Sequence, residues 1–521
     1  MPLVQTPAPA YDVIVVGGGA AGCVLAARLS EDPARRVLLV EAGPDHRGVR
    51  EILDAARWDA MIGGPFDYGY RARPTDHVLG RAVAMPRGRV LGGSSSTNAM
   101  LWYRGHRADY DAWADAGATG WSYDELLPFF RRSESRPGGD PTYRGQGGPV
   151  RVAPLREVHP IAHALMDAAG ERGLPVIDDA NAASNEGAVY ADYNAIQDAA
   201  TGAFERFSTA RAYLEPALPR PNLDVLVDSP VHAVQLAGDA VIGIHHVVGG
   251  ALVTTRASEI VLAAGAIDTP LLLQRSGIGD AKRLGAAGID VRHHLPGVGE
   301  NFQDHPLILG MNFRARASLG PVIGNGGGTM LNWRSSLAGA GPDLHAVIAH
   351  GSRGDEALHA AHDLSGDRVF ALVPGLYGSR STGWVRARSS AVDAAADIHP
   401  NYLGDARDVQ AMVEALDAVH DLVATSAYAD LAEGPITPPH GLSAADKVRF
   451  VRENIGSFFH CAGSARMGVD DGAVVDPALR VRGLSGLRIA DASVMPVIPT
   501  ANTQAPTVAI AERAAELVAA G

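Results

Sequence analysis

Three short runs, residues 12–16, 37–40 and 260–265, are apolar at nearly every position. Each is too short for a helix and too uniform for an edge strand, so each predicts a buried strand, the first of them parallel. Between the first two, Ala20 to Leu29 carries small and apolar residues at helical spacing. Leu223 to Val227 and Val231 to Val234 also read as strands, and Thr269 to Arg275 as a helix. Asp109 to Arg132 predicts helix, glycine turn and helix, with Ser122 and Glu125 placed for a capping box. A helical segment starts at Phe207 to Ala210 and ends near Pro219, and the alanine-rich stretch from Pro506 onward predicts a last helix with proline in its first turn. From residue 305 to about 445 no clear period holds, and Gly324 to Gly328 reads as a loop.

The turn after the first strand gives the pattern its first chemistry. Gly17, Gly19 and Gly22 have the spacing G-x-G-x-x-G. The first glycine permits a tight turn, the second lets backbone approach a pyrophosphate, and the third lets helix pack on strand. Phosphates would then meet the free N–H groups of the helix's first turn, around Ala20 and Ala21. Glu41 closes the second strand about twenty residues on, where a carboxylate can accept both ribose hydroxyls and repels a 2′-phosphate. Bare glycine spacing also fits a plain tight loop; strand, glycines, helix, strand and acid in this order predict an adenine dinucleotide, NAD or FAD.

At 521 residues the chain exceeds one ordinary core and predicts two domains built from interleaved segments, with Gly145 to Pro149 as a first boundary. A net charge of −13 opposes binding to nucleic-acid phosphates. Two cysteines make no disulfide framework, and the first ten residues have neither a basic region nor an apolar core. No run reaches the roughly eighteen apolar residues of a membrane span. A cytoplasmic setting without a membrane partner is the expectation. Metal ligation is not expected either: no H-E-x-x-H or paired C-x-x-C occurs, and the histidines between 345 and 362 read as surface. The aromatics Trp58, Phe66, Tyr68 and Tyr70 read mostly as core packing.

Arg87 to Leu101, RGRVLGGSSSTNAML, suits neither helix nor strand, yet runs straight into Ala99-Met100-Leu101-Trp102 and is no linker. Its glycines and hydroxyls offer backbone N–H groups at little steric cost, as wrapping a polar cofactor requires. This stretch resembles the R-G-x-x-L-G-G-S-S-x-x-N segment of the glucose-methanol-choline (GMC) oxidoreductases, flavoenzymes that oxidise alcohols. Ser457 to Gly468, SFFHCAGSARMG, resembles that family's H-x-x-G-T-x-x-M-G segment, and residues 488 to 518 resemble its closing block.

The resemblance implies an α/β FAD-binding, Rossmann-like domain (1–150, 205–304 and 446–521) interleaved with an α+β substrate domain containing an antiparallel sheet (151–204 and 305–445). It implies FAD contacts at Val90, Gly92, Ser95, Asn98, Ala99, Met100, Leu101, Gly265, Asp491, Asn502 and Thr503, and an adenine contact through the backbone of Val231. Thr97 stands where some members tether FAD through a histidine, so FAD is expected to be non-covalent. His460 and Asn502 fall at the two catalytic positions. The implied chemistry is oxidation of a small alcohol: His460 takes the hydroxyl proton, Asn502 hydrogen-bonds the same oxygen, hydride passes to flavin N5, and O2 or another acceptor takes the electrons. A lyase using FAD only structurally, a catalytically silent flavoprotein and an NAD-linked dehydrogenase are the alternatives. Cys461 as nucleophile is not expected, since hydride transfer needs no covalent intermediate. A Ser464 hydrolase is not expected either, without a G-x-S-x-G elbow.

Overall fold

In the computed structural model, which describes residues 3–198 and 202–521, the apolar runs lie side by side in one sheet. Ala10–Val16 pairs in parallel with Val37–Val40 on one edge and with the end of Ala251–Leu262 on the other. Leu223–Leu226 extends the sheet past Val37–Val40, and Leu487–Ile489 joins the far side of Ala251–Leu262, both in parallel. Ile14, Val15, Leu38 and Val261 are fully buried, which explains why these strands have no polar alternation. The helix Ala20–Leu29 packs on this sheet and against the helix Gln504–Ala519. Ala251–Leu262 leaves the parallel core at its first half and turns into an antiparallel meander with Ala240–Val248 and Val231–Ala237.

One predicted boundary moves. The helix expected from Thr269 begins at Gly265. The Asp491 carboxylate accepts from the Gly265 N–H at 2.8 Å and from the Thr269 hydroxyl at 2.6 Å, so a distant side chain satisfies the first turn and lets it start early. The capping box of Ser122 and Glu125 forms at the head of the helix Tyr123–Ser133.

A second sheet, antiparallel throughout, comes largely from the stretch without a clear period. Its strands run in the order Ala432–Thr437, Asn312–Ala315, Val369–Leu376, Leu344–His350, Thr329–Trp333 and Gly187–Tyr190. Pro306–Ile308 pairs with Val369–Leu376 and also with Ile455–Ser457, so the chain enters the His460 loop directly from this second sheet. Trp58, Phe66, Tyr68 and Tyr70 are half-buried; Phe66 and Tyr70 pack against core clusters, as expected, while Tyr68 stacks on Tyr70 at 5.2 Å. Among the described residues no helix is long and apolar enough to cross a membrane.

Candidate active site

Three glycine-bearing turns meet at the C-terminal end of the parallel sheet. A Cβ on Gly17 would lie 2.6 Å from the Ala263 carbonyl oxygen, and one on Gly22 only 1.8 Å from the Gly17 oxygen. The Gly92 N–H donates to the Gly18 carbonyl at 2.7 Å, and a Cβ on Gly93 would stand 2.7 Å from Gly19 Cα. Gly17, Gly92 and Gly93 also have positive φ, so close approach and backbone conformation both demand glycine there. Gly19 differs. Its φ is −77°, and a Cβ would meet nothing nearer than 3.9 Å. The space in front of the helix N-terminus is therefore free of protein, as a pyrophosphate cradle requires.

The residues expected to touch a cofactor divide into two groups. Gly17, Gly19, Ala20, Asn98, Ala99, Leu101, Val231, Gly265, Asn502 and Thr503 keep partial exposure and offer surface to a ligand. Ala21, Gly22, Glu41, Val90, Gly92, Ser95, Met100 and Asp491 are buried. Several of the second group hold the first in place. Ser95 Oγ donates to the Gly92 carbonyl at 2.6 Å and pairs with Thr209 at 2.8 Å. Asp491 caps Ser493 and Gly265, and Asn98 Nδ2 donates to Gln504 Oε1, tying the glycine-serine segment to the last helix. Met100 takes φ +64°, fixed by its N–H donating to Asn98 Oδ1 at 3.0 Å. Glu41 accepts from Gly18 and Gly43 N–H at 2.7 Å each, and burial pushes its carboxyl up to about 7. The Ser229 N–H donates to the Glu41 carbonyl at 2.9 Å, which brings the Val231 segment to the same end of the sheet.

His460 and Asn502, 42 positions apart, come together with His460 Nε2 and Asn502 Nδ2 separated by 3.0 Å. Asn502 immediately precedes the last helix, whose N-cap is Thr503. His460 follows Phe459, which is held at φ +66° by two contacts: its N–H donates to Ser457 Oγ at 2.9 Å, and its carbonyl accepts from Arg87 Nη2 at 2.5 Å. Arg87 thus connects the glycine-serine segment to the histidine loop. Asp304 fixes the loop from behind. Its Oδ1 accepts the N–H of His460 at 2.7 Å and of His305 at 2.9 Å, while Oδ2 accepts from Tyr402 at 2.5 Å and from Ser457.

On its other side His460 Nδ1 lies 2.9 Å from His305 Nδ1. Only one of those nitrogens carries hydrogen. Asn502 Nδ2 is a donor and faces His460 Nε2, which places the His460 hydrogen on Nδ1. His305 Nδ1 then accepts from His460 Nδ1–H, and His460 Nε2 is left with its lone pair toward Asn502. Burial lowers the His460 pKa well below 6.5, and His305, Arg87 and His345 lower it further. The imidazole is therefore neutral and ready to accept a proton. The neighbouring Cys461 thiol is pushed up to about 12 by burial, which makes it a poor nucleophile.

Sequence reasoning missed Asp304, His305, His345 and Tyr377. Asp304-His305-Pro306 was legible as a cluster, but the expected domain boundary ran through it. His345, read as surface, is fully buried and stacks on Tyr377 at 4.6 Å.

The pattern of GMC oxidoreductases matches residues 11–307, and its C-terminal part matches 379–511. Choline dehydrogenase, mitochondrial, from Mus musculus is 34% identical over 546 residues, covering 98% of this chain and 89% of that protein. Among solved structures, pyridoxine 4-oxidase from Mesorbium loti superposes with a TM-score of 0.92 at 34% identity, covering 97% of this chain and 98% of that one. An FAD-dependent oxidoreductase from Chaetomium thermophilum gives 0.86 at 27% identity, over 98% and 99%. With a turn-lined cradle, a histidine and asparagine side by side, and these matches across nearly its whole length, the chain belongs to the GMC oxidoreductase family.

Proposed function

We propose that this protein oxidises a small alcohol to an aldehyde or ketone, using non-covalently bound FAD and passing electrons to O2. The observation that carries the reading is the pair His460 Nε2 and Asn502 Nδ2 at 3.0 Å, at the head of the last helix. Gly17, Gly19, Ala20, Gly265 and the strip Asn98 to Leu101 would hold FAD, and the buried, unpartnered Asn502 Oδ1 and Gln504 Nε2 are groups that such a ligand can satisfy. When bound, FAD supplies the acceptor for the hydride that leaves the carbinol carbon. Everything else falls to the chain. The alcohol donates its O–H to His460 Nε2, and proton transfer there pushes electron density into the breaking C–H bond. Asn502 Nδ2 donates to the same oxygen and stabilises it as charge develops. Because burial and Arg87 oppose an imidazolium, the protonated His460 is favoured only while an alkoxide faces it.

Support for FAD comes from the printed name of the Chaetomium neighbour, and for O2 from the oxidase named above. In this reading residues 1–150, 205–304 and 446–521 hold the cofactor and 151–204 with 305–445 the substrate. The strand Ile455–Ser457 serves both, since it hydrogen-bonds within the second sheet. The test is direct: purified protein should be yellow, release its flavin into the supernatant on acid precipitation, and form hydrogen peroxide in proportion to added alcohol. A colourless protein, flavin that stays with the pellet, or alcohol turnover without peroxide would each remove one component of the reading.

A further inference from the structure

Beside His460 stands a wall of rings that the proposed chemistry leaves without a role. Phe458 lies 4.5 Å from His460 between ring centres, His345 lies 5.4 Å from Phe458, and Tyr377 lies 4.6 Å from both His345 and His305. His345 and Tyr377 are stacked, with 21° between their planes. Both are buried, and His345 Nε2 and Tyr377 Oη have no hydrogen-bond partner. Interior polar atoms are almost always paired, so these two, with His305 Nε2 and Asn502 Oδ1 also unpartnered beside them, form a polar cluster next to His460 that a ligand can satisfy.

The hydrogen positions at His345 follow from its neighbours. Asn332 Nδ2 donates to the Asn185 carbonyl at 2.8 Å, which fixes Oδ1 as the acceptor facing His345 Nδ1 at 2.7 Å. His345 therefore has its hydrogen on Nδ1 and a lone pair on Nε2. Burial holds the Tyr377 hydroxyl in its protonated form, so it is available as a donor. The ring cluster thus carries one unpartnered acceptor and one unpartnered donor on two stacked rings.

It offers no free carboxylate. Among the described residues no carboxylate hydrogen-bonds to a ring nitrogen of His305, His345 or His460, and both oxygens of Asp304 are occupied by His305, His460, Ser457 and Tyr402. The flanking Leu307, Leu309, Val347 and Phe458 form an apolar cluster. A cationic substrate would exchange water for a site with no free counter-charge.

We propose that His345 and Tyr377 are specificity-determining residues that together read a hydrogen-bonding substituent on the ring of an uncharged aromatic alcohol. The proposal rests on the oxidation reading above. A phenolic hydroxyl suits the pair, donating to His345 Nε2 and accepting from Tyr377 Oη.

The test uses the holoenzyme and kcat/KM for benzyl alcohol, 3- and 4-hydroxybenzyl alcohol, 3-methoxybenzyl alcohol and choline. The better hydroxybenzyl alcohol should exceed benzyl alcohol by roughly tenfold or more, because a site built around a hydrogen bond rejects the analogue that lacks it. The methoxy compound cannot donate to His345 and should lose that advantage, and choline should be the poorest of the set. In Tyr377→Phe and His345→Phe, which keep a ring in the wall, the hydroxybenzyl-to-benzyl ratio should shrink to within about twofold. A wild-type ratio near one, choline as the best substrate, or a ratio that survives both substitutions overturns the proposal. The wild-type ratios decide even where a variant fails to fold. If no alcohol at all reduces the wild-type enzyme, the oxidation reading falls and this proposal falls with it; the first set of outcomes leaves that reading standing.

Discussion

His460 has three separate constraints on it: its N–H on Asp304, its Nδ1 on His305, and its Nε2 toward Asn502. In the proposed reaction a general base so positioned would accept the hydroxyl proton, so His460→Ala should lower kcat and kcat/KM together by about 10² to 10⁴. Steady-state kinetics with any good substrate would read that loss, and a change in KM alone would contradict it. Asn502→Ala removes the donor to the same oxygen and should cost about a hundredfold in kcat. The pH profile follows from burial. His460 has its pKa below 6.5, so falling pH protonates it late: kcat/KM should stay flat as pH drops to 6.5, with the acid limb appearing only below that value. An acid limb centred above 6.5 in the free enzyme would mean that the base is exposed or is another group. His460 and Asn502 were legible because each sits in a contiguous motif. His345 was not, because its position is a matter of register: it lies opposite Asn332 in one neighbouring strand and Gly375 in the other, two residues before Tyr377. No local pattern carries that pairing.

The elements around the cradle were the most legible part of the chain. Uniformly apolar strands, a glycine turn and a helix of small residues leave few alternatives, and Ala10–Val16, Ala20–Leu29 and Val37–Val40 formed close to where the pattern put them. The second sheet was illegible for the opposite reason. Its strands are antiparallel partners from distant segments, with turns of varied length, so their identity depends on tertiary pairing rather than on period. The cradle also yields a variant that separates folding from binding. Gly22→Ala would place a methyl 1.8 Å from the Gly17 carbonyl oxygen and should prevent the turn from forming. Gly19→Ala meets nothing closer than 3.9 Å within the protein, so the cofactor-free variant should fold and melt within a few degrees of wild type. Its added methyl faces the ligand, and FAD affinity measured by fluorescence titration should fall at least about tenfold. Unchanged affinity would remove the pyrophosphate from that helix terminus.

At the scale of the whole molecule, a buried ionic network ties the strip Leu101 to Arg104 to the segment that follows it. Glu134 accepts from Trp102 Nε1 at 2.8 Å and Arg104 Nη2 at 2.7 Å, with Arg144 Nε at 2.9 Å. Arg144 reaches Asp179 and Asp192 at 2.9 Å each. The side chains of Arg104, Glu134 and Arg144 are completely inaccessible. Breaking one partner of such a network leaves charge uncompensated, so Glu134→Gln should lower unfolding free energy by about 3–5 kcal/mol in a denaturant titration. A loss under about 1 kcal/mol would show that water or rearrangement compensates. This network was not legible beforehand, since none of its charges lies in a motif and most are far apart in the chain.

The proposed oxidation turns on one functional unit, an imidazole that would take a proton while bound FAD oxidises the adjacent carbon. Anaerobic mixing of the purified holoenzyme with benzyl alcohol, followed through the visible absorbance of the flavin, tests it most directly. Wild type should lose that absorbance rapidly, and His460→Ala, with its flavin still bound, should lose it slower by at least about 10². Flavin that stays oxidised with every alcohol, or a His460→Ala variant that is reduced at the wild-type rate, would contradict the account.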